Sequence, residues 1–261
     1  MTHWTEKTYI ESPDVIGESL HRGVDRADDD VTNLLALLDE HGVEPKRALD
    51  VACGIGRHSI ELAETGVAVD GVDVSPEYIE TARERAVEAG VSDKTSFGVA
   101  DMRELDTTDD EYDVILNWFA FGYFEDDANE AIVEKFRKRL APNGALVMGV
   151  DNGHSLLGDF QETGASVKRD VIKVERREYS PETGRLEVVI TKFRERGDGY
   201  EFLGEVPWDT RLYGPAEFRR LLERAGFSSV ALYGGLDGAA LGRESSPLVA
   251  VAEPLTNSPK R

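Results

Sequence analysis

The sequence predicts an α/β fold: a parallel sheet wound on both faces by helices, with an antiparallel meander inserted after the fifth strand. Three observations carry this. Short apolar runs alternate with helical patterns through the first half of the chain, the rhythm of successive βαβ units. Strand after strand closes on an acid or amide, at Asp50, Asp73, Asp101, Asn117 and Asp151. Ligands of such sheets bind beyond the carboxyl ends of the strands, so this clustering places one cleft along one edge. After Asp151 the rhythm changes to apolar and polar residues in alternation over 167–179, 185–196 and 200–213, the mark of antiparallel strands.

Taken in order, residues 1–43 read as a helical segment. Three acids, Asp28-Asp29-Asp30, precede a helix over 31–41 in which Leu34, Leu35, Leu37 and Leu38 recur at helical spacing. The acids suit its N-terminus, and Gly42 suits its end. Residues 44–160 supply strands over 47–52, 67–74, 95–99, 112–117 and 145–150. Between them lie a helix from Arg57 to a stop at Gly66, one opened by Ser75 as cap and Pro76 at its first position, and one over 128–140. Residues 161–213 hold the meander: three strands over 167–179, 185–196 and 200–213, joined by Pro181-Glu182-Thr183-Gly184 and Gly197-Asp198-Gly199. Residues 214–253 close the fold with a helix through Phe218, Leu221 and Leu222 and strands over 229–233 and 248–252, and residues 254–261 read as a disordered tail.

The chain has 261 residues, a net charge of −21, nine Lys against 21 Arg, and a single cysteine, Cys53. Diffuse acidity with scarce lysine resembles the composition of salt-loving archaea, whose charged surfaces stay hydrated in concentrated salt. Such a surface repels phosphate backbones, which excludes nucleic acid as the expected partner. The basic run Lys135-Phe136-Arg137-Lys138-Arg139 reads as a solvated helix face. No apolar run reaches the roughly eighteen residues of a membrane span, and residues 1–12 lack the basic-then-apolar pattern of a secretory signal. With one cysteine no internal disulfide forms, and a cytoplasmic setting is expected. Cys53 reads as a small residue in a crowded turn.

The chemistry concentrates between Ala48 and Asp73. A strand meets Asp50, the chain turns through Cys53-Gly54-Ile55-Gly56, enters a helix, and reaches a second strand ending in Asp73, nineteen residues past Gly54. The glycines permit close backbone approach and present N–H groups at a helix start, while Asp73 is placed to accept from ribose hydroxyls. A dinucleotide fingerprint wants Gly or Ala where Ser59 stands, and a pyrophosphate disfavours the carboxylate of Asp50. S-adenosylmethionine (SAM), with an ammonium, a sulfonium and a ribose, suits that acid.

The segments Leu49-Asp50-Val51-Ala52-Cys53-Gly54-Ile55-Gly56-Arg57-His58-Ser59 and Gly71-Val72-Asp73-Val74-Ser75-Pro76 resemble the first two motifs of class I SAM-dependent methyltransferases. The resemblance implies a doubly wound, seven-stranded, mostly parallel sheet with an antiparallel closing pair. It implies a cofactor site of Asp50, Ala52, Gly54, Gly56, Asp73, Val74, Asp101, Met102 and Asn117, with Asp101 as the adenine acceptor. Arg57 and His58 face either ligand or solvent. The aromatic loop 118–124 would border the methyl acceptor, with Tyr123 and His154 as candidates for deprotonating it, and Trp208 or Tyr213 near the methyl. Asn117-Trp118-Phe119 lacks the Pro-Pro of methyltransferases acting on planar nitrogens. Asp151-Asn152 supplies only part of an oxygen site for Mg²⁺, so no metal is expected. The reading is methyl transfer to a small-molecule acceptor through N, O or S, with the meander as lid and a homodimer as an option. The alternatives are an NAD-dependent oxidoreductase, and a protein that binds SAM or methylates another protein as a regulatory partner.

Overall fold

Alternating strand faces organise the molecule. The computed structural model describes residues 3–105 and 111–254; the tail expected over 254–261 lies, Pro254 apart, outside the described residues. The chain starts with α1 (Trp4–Glu6), a π-helical turn (Lys7–Glu11), α2 (Pro13–Val24) and α3 (Ala27–Glu40). The sheet segments follow as β1 (Arg47–Val51), α4 (Arg57–Glu64), β2 (Ala68–Asp73), α5 (Pro76–Glu88), β3 (Thr95–Val99), β4 (Tyr112–Trp118), α6 (Asp126–Lys138) and β5 (Leu140–Val150). Next come α7 (Gly153–Gly158), β6 (Thr163–Lys168), β7 (Val171–Ser180), β8 (Arg185–Arg196), β9 (Gly199–Arg211), α8 (Pro215–Arg224), β10 (Phe227–Tyr233) and β11 (Leu248–Pro254).

Seven strands form one sheet in the order β10-β11-β5-β4-β1-β2-β3. β1 pairs in parallel with both β2 and β4, so the strand order reverses beside it. Only β11 runs antiparallel, to both β10 and β5. Successive residues of the central strands point to opposite faces. Ile115, Leu146, Met148 and Ala250 pack with Ile132, Phe136, Phe218 and Leu222 of α6 and α8. Val114, Leu116, Val147 and Val251 pack with Leu34 and Leu38 of α3, Leu62 of α4 and Ile79 of α5. Two separate cores on two faces make the sheet doubly wound, as expected.

The meander differs from its expectation. It is a four-stranded antiparallel sheet, β6-β7-β8-β9: the strand expected over 167–179 is β7, with only 167–168 lying before the turn, and β6 precedes it as a strand the sequence reading did not expect. Arg169 takes a positive φ of 54° and Lys168 pairs with Val171, a tight turn that alternation alone does not reveal. The inner face of this sheet has its own core, in which Leu186, Val188, Ile190 and Val206 pack against Val15 and Ile16 of α2. The N-terminal segment is thereby fastened to the second sheet, with Thr8 Oγ1 donating to the Pro207 carbonyl at 2.7 Å. Among the described residues, no helix is long and apolar enough to cross a membrane.

Candidate active site

The carboxyl ends of β1, β2 and β4 open into a cavity of about 350 Å³, within the usual range for small-molecule sites. Its floor is the glycine turn after β1. Ala52 and Gly54 hold positive φ of 60° and 56°, so the turn doubles back at the strand end. Asp50 and Asp73, both buried, line the cavity with Ala52, Cys53, Gly54 and Val74. The two Asp73 oxygens accept from Ser75 N at 2.9 Å and Gly54 N at 2.8 Å. Each carboxylate oxygen has a further lone pair, so ribose hydroxyls can still be accepted. Burial pushes the Asp73 carboxyl up to about 6, against the lowering effect of these N–H donors. Asp50 is also raised by burial, offset by His58, Ser59 and Arg57.

Ser59, the residue that breaks the dinucleotide fingerprint, donates from Oγ to Asp50 Oδ2 at 2.7 Å. It fixes the acid on the floor, a role the sequence reading did not assign. Arg57 and His58 both turn inward: Asp30 Oδ2 accepts from Arg57 Nη1 at 2.8 Å and lies 3.2 Å from His58 Nε2. Cys53 is buried, and burial drives its thiol well above the ordinary value, the reverse of what a nucleophile needs.

Asp101 and Met102 line the cavity as expected. The Asp101 carboxylate is engaged by Arg103, with Nη2 at 2.6 Å, which holds it below the usual carboxylate range despite partial burial.

Several expected residues are not brought together here. Gly56 does not line the cavity; its φ is 74°, and a Cβ there would lie 3.0 Å from Phe97 Cζ and 3.1 Å from Ala82 Cβ. It serves the turn and the close packing behind it. The Asn117 side chain is fully buried away from the cavity, its Nδ2 donating to Val51 O at 3.1 Å and Ala120 O at 3.3 Å, so it braces two wall segments. His154 sits exposed at the start of α7, and Tyr213 is buried in the core beside Phe121 and Phe218. Asn152 caps α7 by accepting from His154 N at 3.1 Å.

The upper walls come from distant parts of the chain. Thr5, Tyr9 and Ile16 of the N-terminal segment, Tyr78 of α5, and Lys173, Ile190, Lys192 and Trp208 of the second sheet all face the cavity. Trp208 contacts Trp4, Tyr9 and Tyr123 at ring-centroid distances of 5.3, 6.1 and 5.5 Å. The Tyr9 and Tyr123 hydroxyls lie 3.2 Å apart, and Tyr123 donates to the Phe119 carbonyl at 2.9 Å. Burial holds both phenols well above their usual value, so neither is a phenolate at neutral pH. Tyr123 is thus placed at the cavity as a hydrogen-bonding wall, with little capacity to take a proton from its resting state.

Residues 48–144 match the methyltransferase domain family. The 27-O-demethylrifamycin SV methyltransferase of Amycolatopsis mediterranei is 31% identical over 146 residues, 51% of this chain and 51% of that protein. Three such curated relatives are matched over 36%, 48% and 51% of their own lengths, so the chain spans about half or less of each. Among solved structures, the CcbJ methyltransferase of Streptomyces caelestis superposes with a TM-score of 0.74 at 22% identity, over 85% of this chain and 89% of that one. SAM-bound CalS10, an amino pentose methyltransferase from Micromonospora echinaspora, superposes with a TM-score of 0.66 at 19% identity, over 91% and 96%. These structural likenesses are of fold. The methyltransferase domain match covers the whole cavity floor, and S-adenosylmethionine is the expected cofactor. The residues present suit it: buried acids at the ends of β1 and β2, and apolar and aromatic walls above them.

Proposed function

We propose that this protein transfers the methyl group of SAM directly, in line, to a nitrogen, oxygen or sulfur nucleophile of a small molecule. The observation that carries the reading is the buried pair Asp50 and Asp73 flanking a left-handed glycine turn on one cavity floor. Asp73 would accept from the ribose hydroxyls and Asp50 would face the methionine ammonium. Gly54 and Val74 would border the ligand backbone, with Asp101 and Met102 near the adenine. An NAD-dependent oxidoreductase is disfavoured because the Asp50 carboxylate sits beside the glycine turn that would have to take a pyrophosphate, and Ser59 stands where a dinucleotide fingerprint has Gly or Ala.

The sulfonium is already activated, so the protein's contribution is alignment and exclusion of water. Trp118, Phe119, Tyr123 and Trp208 supply the aromatic walls, whose faces attract a sulfonium. The second sheet and the N-terminal segment together would form the lid over the acceptor. A small-molecule acceptor also agrees with relatives named as norajmaline N-methyltransferase and 27-O-demethylrifamycin SV methyltransferase. Isothermal calorimetry tests the cofactor: SAM or its demethylated product, S-adenosylhomocysteine, binds, and NAD does not. Tight NAD binding with SAM ignored overturns the reading.

The charge of −21 is read as a halophilic adaptation of a cytoplasmic enzyme. The melting temperature is then expected to keep rising as KCl approaches molar levels, beyond the range where screening saturates. A chain most stable in dilute buffer would instead point to a cationic partner.

A further inference from the structure

We propose that the outward face of the second sheet is a homodimer interface, on which the same face of a second copy of this chain packs. Strand pairing fixes which residues share that face. Val188, Ile190 and Val206 point into the core beneath the sheet, so their neighbours Val189, Thr191 and Phe193 point outward. One outward row crosses all four strands in register: Val167, Ile172, Phe193 and Phe202. The Phe193 and Phe202 rings lie 5.8 Å apart between centroids, while Val167 and Phe202 are 67% and 61% exposed. The next two rows add Val174, Val189 and Pro207, and their charged residues, Arg176 and Glu205, pair with each other at 3.2 Å. An antiparallel sheet with one face in water normally turns apolar residues in and polar residues out. Here the middle of both faces is apolar, the pattern of a sheet packed between two layers.

Size, charge and chain length together make that second layer a copy of the same chain. Four strands about 4.8 Å apart, with about ten residues at about 3.3 Å each, give a face of about 600 Å². Two apposed faces then cover about 1,200 Å², where stable interfaces begin. The acids stand at the ends of the face, Glu178 and Glu187 at one and Glu195 at the other, which reproduces the apolar centre and polar rim of an association surface. These acids repel an anionic lipid surface, and the centre offers a cationic partner no unpaired carboxylate, since Glu205 is held by Arg176. The seven residues after Pro254 start at the amino edge of the main sheet, because β11 runs from Leu248 opposite Val150 to Ala252 opposite Leu146. They span about 25 Å at most, the length of β11 itself, and do not reach the second sheet. An isologous contact sets the apolar centre against itself about a two-fold axis and leaves no such face unpaired, so assembly stops at two. The inward side of the same sheet brings Ile190 and Trp208 to the cavity, so the partner copy backs the cavity wall from outside.

The test is sedimentation equilibrium of the full chain in about 2 M KCl, where rim repulsion is screened. A mass of twice 28.8 kDa is expected, in reversible exchange with the monomer on dilution. Val167→Glu with Phe202→Glu, both at exposed positions, should raise the dissociation constant at least about a hundredfold with an unchanged thermal melt. Val174→Cys supplies a thiol at the middle of the face, whereas Cys53 is buried. A short bismaleimide is expected to join two Val174→Cys chains and to leave the wild type unjoined. A dimer that resists the double substitution, or a dimer that Val174→Cys fails to cross-link, places the contact elsewhere and overturns the proposal. A wild-type monomer overturns it too: one that binds phosphatidylglycerol vesicles gives the face to a lipid surface, and one that does not gives it to a different protein. The wild-type mass and the cross-link need no glutamate variant, so a poorly folding double variant leaves the test standing. None of these outcomes depends on the methyl-transfer reading.

Discussion

Replacing Asp73 with alanine is expected to weaken SAM binding by about 1.5–3 kcal/mol, the scale of hydrogen bonds to a charged group lost on truncation. The loss has two sources. The ribose acceptor disappears, and the Gly54 and Ser75 amides that now donate to its two oxygens lose the group that holds the turn against β2. Titration provides a second signature of the same residue. Its carboxyl is raised by burial to about 6 from an ordinary 3.8. A folded-state value above the unfolded one means its contribution to stability is full below the unfolded value and is lost as pH rises through about 6. Cofactor binding runs the other way, since ribose hydroxyls donate best to the ionised form. SAM affinity should therefore rise with pH through about 6 and level off above it, with proton release on binding at about pH 5. Calorimetry in buffers of different ionisation enthalpy measures both. A flat profile across that window would remove Asp73 as the ribose acceptor.

Replacing Trp208 with alanine should lower turnover by at least about tenfold, near 1.4 kcal/mol of transition-state stabilisation, while leaving SAM affinity within a few-fold. Trp208 comes from β9, far in sequence from the floor, yet it touches Trp4, Tyr9 and Tyr123. It is the residue through which the N-terminal segment, the loop after β4 and the second sheet meet above the cavity. Its removal would admit water and loosen the acceptor without touching Asp50, Asp73 or the glycine turn. Labelled-methyl transfer to an acceptor found by screening gives kcat, and calorimetry gives SAM affinity. A variant that keeps full turnover would relocate the lid; one that loses SAM equally would move Trp208 to the cofactor site.

The cofactor floor was legible because its determinants are local. Asp50, the turn through Gly54, and Asp73 lie within one strand-turn-helix-strand unit, and burying one side of each strand fixes which residues end at the sheet's edge. The same locality explains the misreadings. Gly56 shares the motif, but its positive φ and the nearness of Phe97 and Ala82 turn it away from the cavity. His154 follows β5, whose end reaches the edge, yet it sits exposed at the start of α7, and Tyr213 follows β9 of the second sheet and is buried beside Phe121 and Phe218.

Local sequence thus determined the doubly wound sheet, the acids at its carboxyl edge and the nucleoside half-site, because periodicity and turn chemistry act over a few residues. Tertiary structure alone decided what faces that half-site. The turn at Arg169 pairs β7 with β6, a strand the sequence reading did not expect, and the register across β7, β8 and β9 brings Lys173, Lys192 and Trp208 inward. Tyr9 joins them because Val15 and Ile16 bury against the second sheet. These contacts join segments up to 199 residues apart, as Thr8 and Pro207 show. Side chains brought together over such separations are selected by the burial of shared apolar surface, which no single stretch of sequence displays.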